Sequence, residues 1–522
     1  MIADDPSVIQ PILAQLKKSF MSKRTLPLEY RRQQLLNLKR GVKELEPKIQ
    51  IAQKKDIGMT PIMTKMLTTN LLLDEIKNCL KNLNHWTKLE KIDVPLLLGP
   101  GTSYTKPEPL GVALVISAWN YPLTTSIPYV ISAIAAGNCC VIKPSELAPN
   151  ASNIIAELFD KYLDKDCYRC IEGKVEVAKA IIKEPFDIIV FTGSTDKGKL
   201  VAKAAAENLT PYILELGGKS PTIVDRNADL DNAALRIMQG RFMNAGQVCV
   251  ACDYLFVHKD VKNELIKKFK ETLLNFYGEN PSQSKDYERI INEFHVKRLK
   301  SYLDEDHGGK VILGGEVDEK EKYIAPTLIE KPKLTSKLMQ EEIFGPILPI
   351  YEFDDFDFVV NFINERPKPL SLYYYGSGSS PNYRKLKNET FSGALSLNES
   401  IFHVGILDAP FGGVGFSGQG KLHGHSGFKA FSHYKTIFEK GGLNIYPFNV
   451  RYPPYEGFRL KSLDFMLGYS RVTQNSIMKI IMALFVLFIF AILFKTNIFM
   501  NTTKGLGNFV SEMMNTKVKG DL

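Results

Sequence analysis

The chain has 522 residues, 24% charged and 44% hydrophobic, which excludes a disordered, collagen-like or polytopic membrane chain and leaves room for about three packed units. The net charge is +9, and more than half of it lies from Arg451 onward, where nine basic residues stand against four acids. A nearly neutral main body argues against a nucleic-acid partner, while the basic end favours an anionic surface.

The first residues, MIADDPSVIQ, lack a basic stretch ahead of an apolar run, so no secretory signal is expected, and their acids argue against a cleaved matrix-targeting peptide. Residues 8–90 read as helices. Leu35, Leu38, Val42, Leu45 and Ile49 recur at helical spacing and predict a face packed on the body; a partner-binding helix is the alternative. From Gly111 the texture changes. VALVISAW, CCVIKPS, FDIIVFTGS and YILELGG are short apolar runs alternating with helical stretches such as KLVAKAAAEN. This pattern predicts βαβ units around a parallel sheet covered on both faces. Asn120, Lys143, Ser194 and Glu215 follow the successive strands, and ligands of such sheets bind beyond the strands' carboxyl ends. Residues 214–420 alternate again (PTIVD, YLFVHK, PTLIE, PILPIYE) and predict a second α/β domain. Next comes the glycine-rich PFGGVGFSGQG, then an aromatic, proline-containing tail.

The last feature is a charge-free run of fifteen residues, 480–494. As a helix it covers about 22 Å, short of the ~30 Å hydrocarbon core; extended over 477–500, with Lys479 and Lys495 turned outward, it reaches about 36 Å. A membrane anchor is expected and a buried core helix is the alternative. Only 495–522 follow, which implies insertion largely after synthesis.

Several residues could carry chemistry. Cys249, in NAGQVCVACDY, has small neighbours that would admit a substrate, and a thiolate is a strong nucleophile. Cys249/Cys252 and Cys167/Cys170 are both C-x-x-C pairs, so a zinc site or a redox dithiol are alternatives, although 170 and 249 are far apart for a zinc ribbon. The seven cysteines, sparse and odd in number, suit a reducing compartment. Glu215 ends an apolar strand beside Gly217 and Gly218, where partial desolvation would raise a carboxyl toward general-base range; a surface acid is the bland reading. Gly193-x-x-x-x-Gly198-Lys199 approaches a P-loop, but Leu200 replaces the hydroxyl that ligates Mg²⁺. Gly193 and Ser194 at a helix start can still hold a pyrophosphate.

Seven fragments in order, PLGVALVISAWNYP (109–122), KPSE (143–146), FTGSTDKG (191–198), LELGGKSP (214–221), GQVCVACDY (246–254), QEEIFGPILPI (340–350) and PFGGVGFSG (410–418), resemble the aldehyde dehydrogenase family over roughly residues 10–440. Leu209-Thr210-Pro211, the FSH at 431–433 and the apolar segment resemble its class 3, fatty aldehyde dehydrogenase branch, and RYPP at 451–454 resembles fungal members. Ala118 departs from the proline that many relatives carry.

The resemblance implies an α/β aldehyde dehydrogenase fold. Residues 1–213 would form a helical N-terminus and Rossmann-like NAD-binding domain, 214–420 a catalytic domain, 421–474 a bridging and dimerisation tail, 475–500 the anchor and 501–522 a short tail. It implies Cys249 as nucleophile, Asn120 and the Cys249 N–H as oxyanion donors, and Glu215 as the activator of water. Lys143 and Glu146 would contact the adenosine ribose; Gly193, Ser194 and Gly198 belong to the pyrophosphate segment; Glu342 and Phe344 would clamp the nicotinamide ribose. Glu146 favours NAD, with NADP open, and no metal is implied. The expected substrate is a lipid-derived aldehyde, oxidised to its acid by a homodimer held on the endoplasmic reticulum or mitochondrial outer membrane and facing the cytosol, with lipid droplets open. An idle scaffold, an aldehyde dehydrogenase for aromatic or short aldehydes, and an enzyme passing its acyl group to coenzyme A are the alternatives. The Asn120–Glu215–Cys249 set counts against the first, and a resident water activator against the last.

Overall fold

The computed structural model describes residues 4–469, 472–495 and 498–517. The chain divides into two compact units, Met1–Lys88 with Pro107–His433, and Leu89–Lys106 with Tyr434–Leu522.

The larger unit is built on two sheets. In the first, the strands Val112–Ile116, Cys139–Lys143, Tyr168–Cys170, Ile188–Gly193 and Tyr212–Leu216 are parallel. Numbered along the chain they stand in the order 3-2-1-4-5, and the short strand Gly418–Gln419 adds antiparallel at the outer edge. That order reverses direction between Val112–Ile116 and Ile188–Gly193, which opens a crevice beyond their carboxyl ends. The continuous apolar runs arise because both faces are covered: Val112–Val115 and Cys139–Ile142 have no solvent exposure. The helix Leu28–Ile57 covers part of this core, and Leu35, Leu38, Val42, Leu45 and Ile49 are all buried in it, so the predicted face packs on the body.

The second sheet has seven strands. Thr327–Glu330, Ile347–Phe353, Tyr254–His258, Pro221–Val224, Ser371–Tyr375 and Ala394–Leu397 run parallel, and Lys310–Leu313 adds antiparallel at one edge. Its chain begins only five residues after the first sheet's Leu216, across Gly217–Ser220.

The smaller unit contains most of a three-stranded sheet of Glu90–Ile92, Gly101–Pro109 and Ser432–Lys440, and the helices Gly457–Gly468, Gln474–Lys495 and Ile498–Lys517. Among the described residues the apolar helix spans Gln474–Lys495, and a helix of 20 residues, Ile498–Lys517, follows in the stretch read from the sequence as a short tail. At 22 residues the apolar helix is about 33 Å long.

Candidate active site

The crevice receives its first polar group from the loop after Val112–Ile116. Asn120 is buried there, 3% exposed. The Thr125 hydroxyl accepts from the Ala118 N–H (3.2 Å) and donates to the Tyr121 carbonyl (3.0 Å). This clasp supplies rigidity that Ala118, lacking a proline ring, does not. Lys143 ends the next strand, buried, and its Nζ donates to Glu146 Oε2 at 3.0 Å and to the Pro144 carbonyl at 3.1 Å. Ser194 caps the helix Thr195–Glu207 without a side-chain bond, which leaves first-turn N–H groups for an anion. At Gly198 a Cβ would sit 2.6 Å from Leu216 Cδ2, so only glycine lets this helix approach the sheet so closely. Lys199 points outward to Asp196 (3.4 Å) and lies over the Phe416 ring, away from any phosphate role.

Cys249 follows a tight left-handed turn. Asn244, Ala245 and Gly246 have φ of 53°, 48° and 74°, and all three are buried. Two non-glycine residues in that region cost about 1–2 kcal/mol each, so the turn must be held. Gln247, wholly buried, does so: its Nε2 donates to the Asn244 and Arg289 carbonyls (2.9 Å each), and its Oε1 accepts from the Ile291 N–H (3.0 Å). Asn244 Nδ2 donates to the Asn120 carbonyl at 3.1 Å, and Asn120 Nδ2 donates to the Gln247 carbonyl at 3.0 Å. The loops bearing Asn120 and Cys249 are thereby laced together. The Tyr373 hydroxyl pins the Val250 carbonyl from the other side, at 2.6 Å.

The Cys249 thiol is partly exposed, and its pKa is pushed up to about 12, first by burial and then by the carboxylates of Glu342 and Glu215. The N–H groups of Cys249 and Val250 pull the other way. The sulfur thus feels the charges of both acids. Glu215 is 3% exposed, and neither carboxylate oxygen has a hydrogen-bond partner. Burial drives its pKa well above the ordinary range, opposed by the charge of Lys421. The glycine-rich loop lies against it: a Cβ on Gly412 would be 3.0 Å from Glu215 Oε1.

Glu342 and Phe344 lie on a loop held by buried charge. Lys219 Nζ bonds to Asp253 and to the Leu338 (2.7 Å) and Glu341 (3.0 Å) carbonyls. Asp253 accepts from the Ile343 N–H (3.2 Å) and from Arg241 (3.3 Å), and Arg241 also bonds the Gly345 carbonyl. Burial raises Glu342 to about 8, while the Gly218 N–H pulls it down. A Cβ on Gly217 would overlap the Glu342 carboxylate. The Phe344 ring meets Trp119 edge-on at 5.3 Å. The two C-x-x-C pairs stay apart. Cys167 lies in the core of the first sheet and Cys252 in that of the second, and no metal-holding group of His, Cys, Asp or Glu occurs among the described residues.

Residues 4–437 match the model of the aldehyde dehydrogenase family. The chain belongs to that family. Among its relatives, the mouse protein named aldehyde dehydrogenase family 3 member A2 is 43% identical over 452 residues, 87% of this chain and 93% of the mouse protein. The 4,4'-diaponeurosporen-aldehyde dehydrogenase of Staphylococcus aureus is 42% identical over 86% of this chain and 97% of its own length. A substrate-bound structure of Staphylococcus aureus AldH superposes with a TM-score of 0.85, at 41% identity, over 88% of this chain and 99% of that one.

Aldehyde dehydrogenases use NAD(P), and this one is an NAD(P)-dependent aldehyde dehydrogenase. Its sequence hides part of the cradle. Gln247, Lys219 and Asp253 sit inside motifs already read as chemical, yet their work is to hold neighbours. Lys219 and Asp253 are charges hard against apolar strands, a signal of buried pairing. Arg241 and Asn244, on a helix and its exit, carry no such sign.

Proposed function

We propose that this aldehyde dehydrogenase oxidises long-chain aldehydes to carboxylic acids with NAD⁺ while tethered to a membrane by Gln474–Lys495. The carrying observation is the wall around Cys249. Val248, Val250, Leu370 and Ile401 are buried beside it, with Tyr121 and Phe402 packed against them. An apolar chain entering here loses its hydration and gains contact, about 0.8 kcal/mol per methylene.

In this reading the Cys249 thiol releases its proton to solvent, its sulfur bonds to the aldehyde carbon and the carbonyl electron pair moves to oxygen. Asn120 receives that oxyanion with the N–H not spent on Gln247, beside the Cys249 N–H. A bound nicotinamide would supply the hydride acceptor, and loss of hydride leaves a thioester on Cys249. Glu215 then takes a proton from water. The new C–O bond forms, the C–S bond breaks, and acid and thiolate separate. The unpartnered Glu215 oxygens and the raised pKa suit a base waiting for water.

The cradle fits the cofactor. Ser194 at an uncapped helix start suits a pyrophosphate, with Gly193 just before it and Gly198 drawing that helix onto the sheet, and Lys143 with Glu146 suits ribose hydroxyls. Glu146 would repel a 2′-phosphate, hence NAD. Glu342, whose charge reaches the Cys249 sulfur, and Phe344 on the same loop suit the nicotinamide ribose.

The helix Gln474–Lys495 supports tethering because its window Asn475–Ile492 is apolar and none of it is buried. Its short charge-free run suits a thin bilayer, endoplasmic reticulum or mitochondrial outer membrane, with the lipid-droplet surface as a third site. A homodimer completes the proposal, supported by the open edges of the three-stranded sheet.

The test is NADH production from a panel of C6–C20 aliphatic and aromatic aldehydes with either cofactor. Rates should rise toward C16, favour NAD⁺ and vanish in Cys249→Ala. An undiminished rate in that variant would falsify the assigned nucleophile. Deleting 475–522 should leave an active protein that no longer sediments with membranes.

A further inference from the structure

Beyond Lys495 the chain forms the helix Ile498–Lys517, and its pattern differs from that of the helix before it. Leu506, Phe509, Val510 and Met513 fall at i, i+3, i+4 and i+7, on one face. Leu506, Phe509 and Val510 are 67%, 62% and 46% exposed. Asn508, Ser511 and Glu512 take the other side, and Gly505 and Gly507 keep it narrow. In water such a stripe is costly, at about 25 cal/mol per Å² of apolar surface.

We infer that Ile498–Lys517 lies flat in a phospholipid interface, with its Leu506–Phe509–Val510 face in the acyl boundary. This rests on the reading of Gln474–Lys495 as an anchor, and it adds a second membrane contact of a different kind. Three observations select lipid as the occupant. The stripe begins shortly after an apolar helix with no buried residue in its window Asn475–Ile492. Lys504 and Glu512 lie within the helix, and charges there forbid burial across hydrocarbon but suit a helix at the headgroups. From Lys495 onward four lysines stand against two acids, a balance that anionic headgroups accept. The arrangement also answers a geometric problem. A charge-free run of about 22 Å is short for a bilayer, and a flat helix at its end resists withdrawal.

The test uses the full chain carrying Phe509→Trp in phosphatidylcholine vesicles containing phosphatidylinositol. The parental signal of Trp86 and Trp119 is subtracted. Nitroxides are placed either high or low on the acyl chain. The added emission should be blue-shifted and lose at least about half its intensity to the shallow nitroxide, with little loss to the deep one, as expected for a ring about 5–10 Å deep. Unquenched, red emission from protein that still sediments with vesicles would overturn the interfacial helix and leave the anchor standing. Blue-shifted but unquenched emission would mean that a second copy covers the stripe, and stronger quenching from the deep position would mean that the helix crosses the bilayer; either overturns the inference. Protein that stays in the supernatant would remove the anchor as well.

Discussion

Two helices in this chain are apolar almost from end to end, and they end up in opposite surroundings. Ile127–Ala136 is buried at all ten positions. Gln474–Lys495 exposes Ile480, Phe485, Phe488 and Phe490, each by more than half. Side-chain size and length separate them. The first is short and holds three Ala and a Ser among its ten residues, so it lies close on a sheet at crystal-like density, and Gly137 at φ 95° ends it. The second is large-residued on every side and bounded by Lys479 and Lys495, a surface that lipid covers in the proposed reading. Apolarity says that water is excluded; residue size and length say by what.

The largest effects should come from placing a charge in each helix. Ile134→Asp buries an unpaired carboxylate where exposure is zero and should cost at least about 5 kcal/mol, so that no soluble folded protein is recovered. Leu487→Asp should leave thermal unfolding of the body unchanged and instead lower the fraction that resists alkaline extraction from membranes. Equal melting losses in the two variants would erase the contrast.

Next is Asn120→Ala. It removes both the proposed oxyanion donor and the bond to Gln247, and should lower kcat by about 10²–10³ with little change in KM. A loss confined to KM would place Asn120 in binding alone.

Buried polarity in the body also has a pH signature. Glu75 is buried, accepts the Gly424 N–H at 3.0 Å, and is pushed up to about 7 by burial. The folded chain therefore holds this proton after the unfolded chain has lost it. The associated stability is whole below about pH 4.5 and falls away as pH rises to about 7, by up to about 3 kcal/mol. Denaturant midpoints of the chain lacking 475–522 should show that fall together with those from Glu288 and Glu342, raised likewise by burial, and Glu75→Gln should remove only its own share.

The smallest effect concerns the thiol itself. Alkylation of Cys249 in the ligand-free protein should follow a pKa near 12, and Glu342→Gln, by removing the stronger of the two facing charges, should quicken it at pH 8 by roughly threefold to tenfold.

How much was legible in the sequence follows from the same contrast. Runs buried on both faces, such as Val112–Ile116 and Cys139–Lys143, announce themselves, and so does the Leu35–Ile49 stripe. The three-stranded sheet did not. Glu90–Ile92 is exposed throughout and Ser432–Lys440 has no buried position, and strands without a buried face leave little to read. The helix beyond Lys495 was hidden behind a louder neighbour. At the site, Cys249 and Glu215 could be picked out by residue type and strand position. Their supports could not, because the Lys219–Asp253–Arg241 network and the clasp of Gln247 on Arg289 and Ile291 join residues that only the fold brings together.

The claim on which the account turns is that Cys249 and Glu215 serve one reacting carbon, and intact-protein mass spectrometry of a Glu215→Gln variant tests it most directly. With hexadecanal and NAD⁺, that variant should release one NADH per site and hold a hexadecanoyl group on Cys249, absent when Cys249→Ala is added. Turnover at the parental rate with no trapped acyl group, or an acyl group on any other residue, would contradict it.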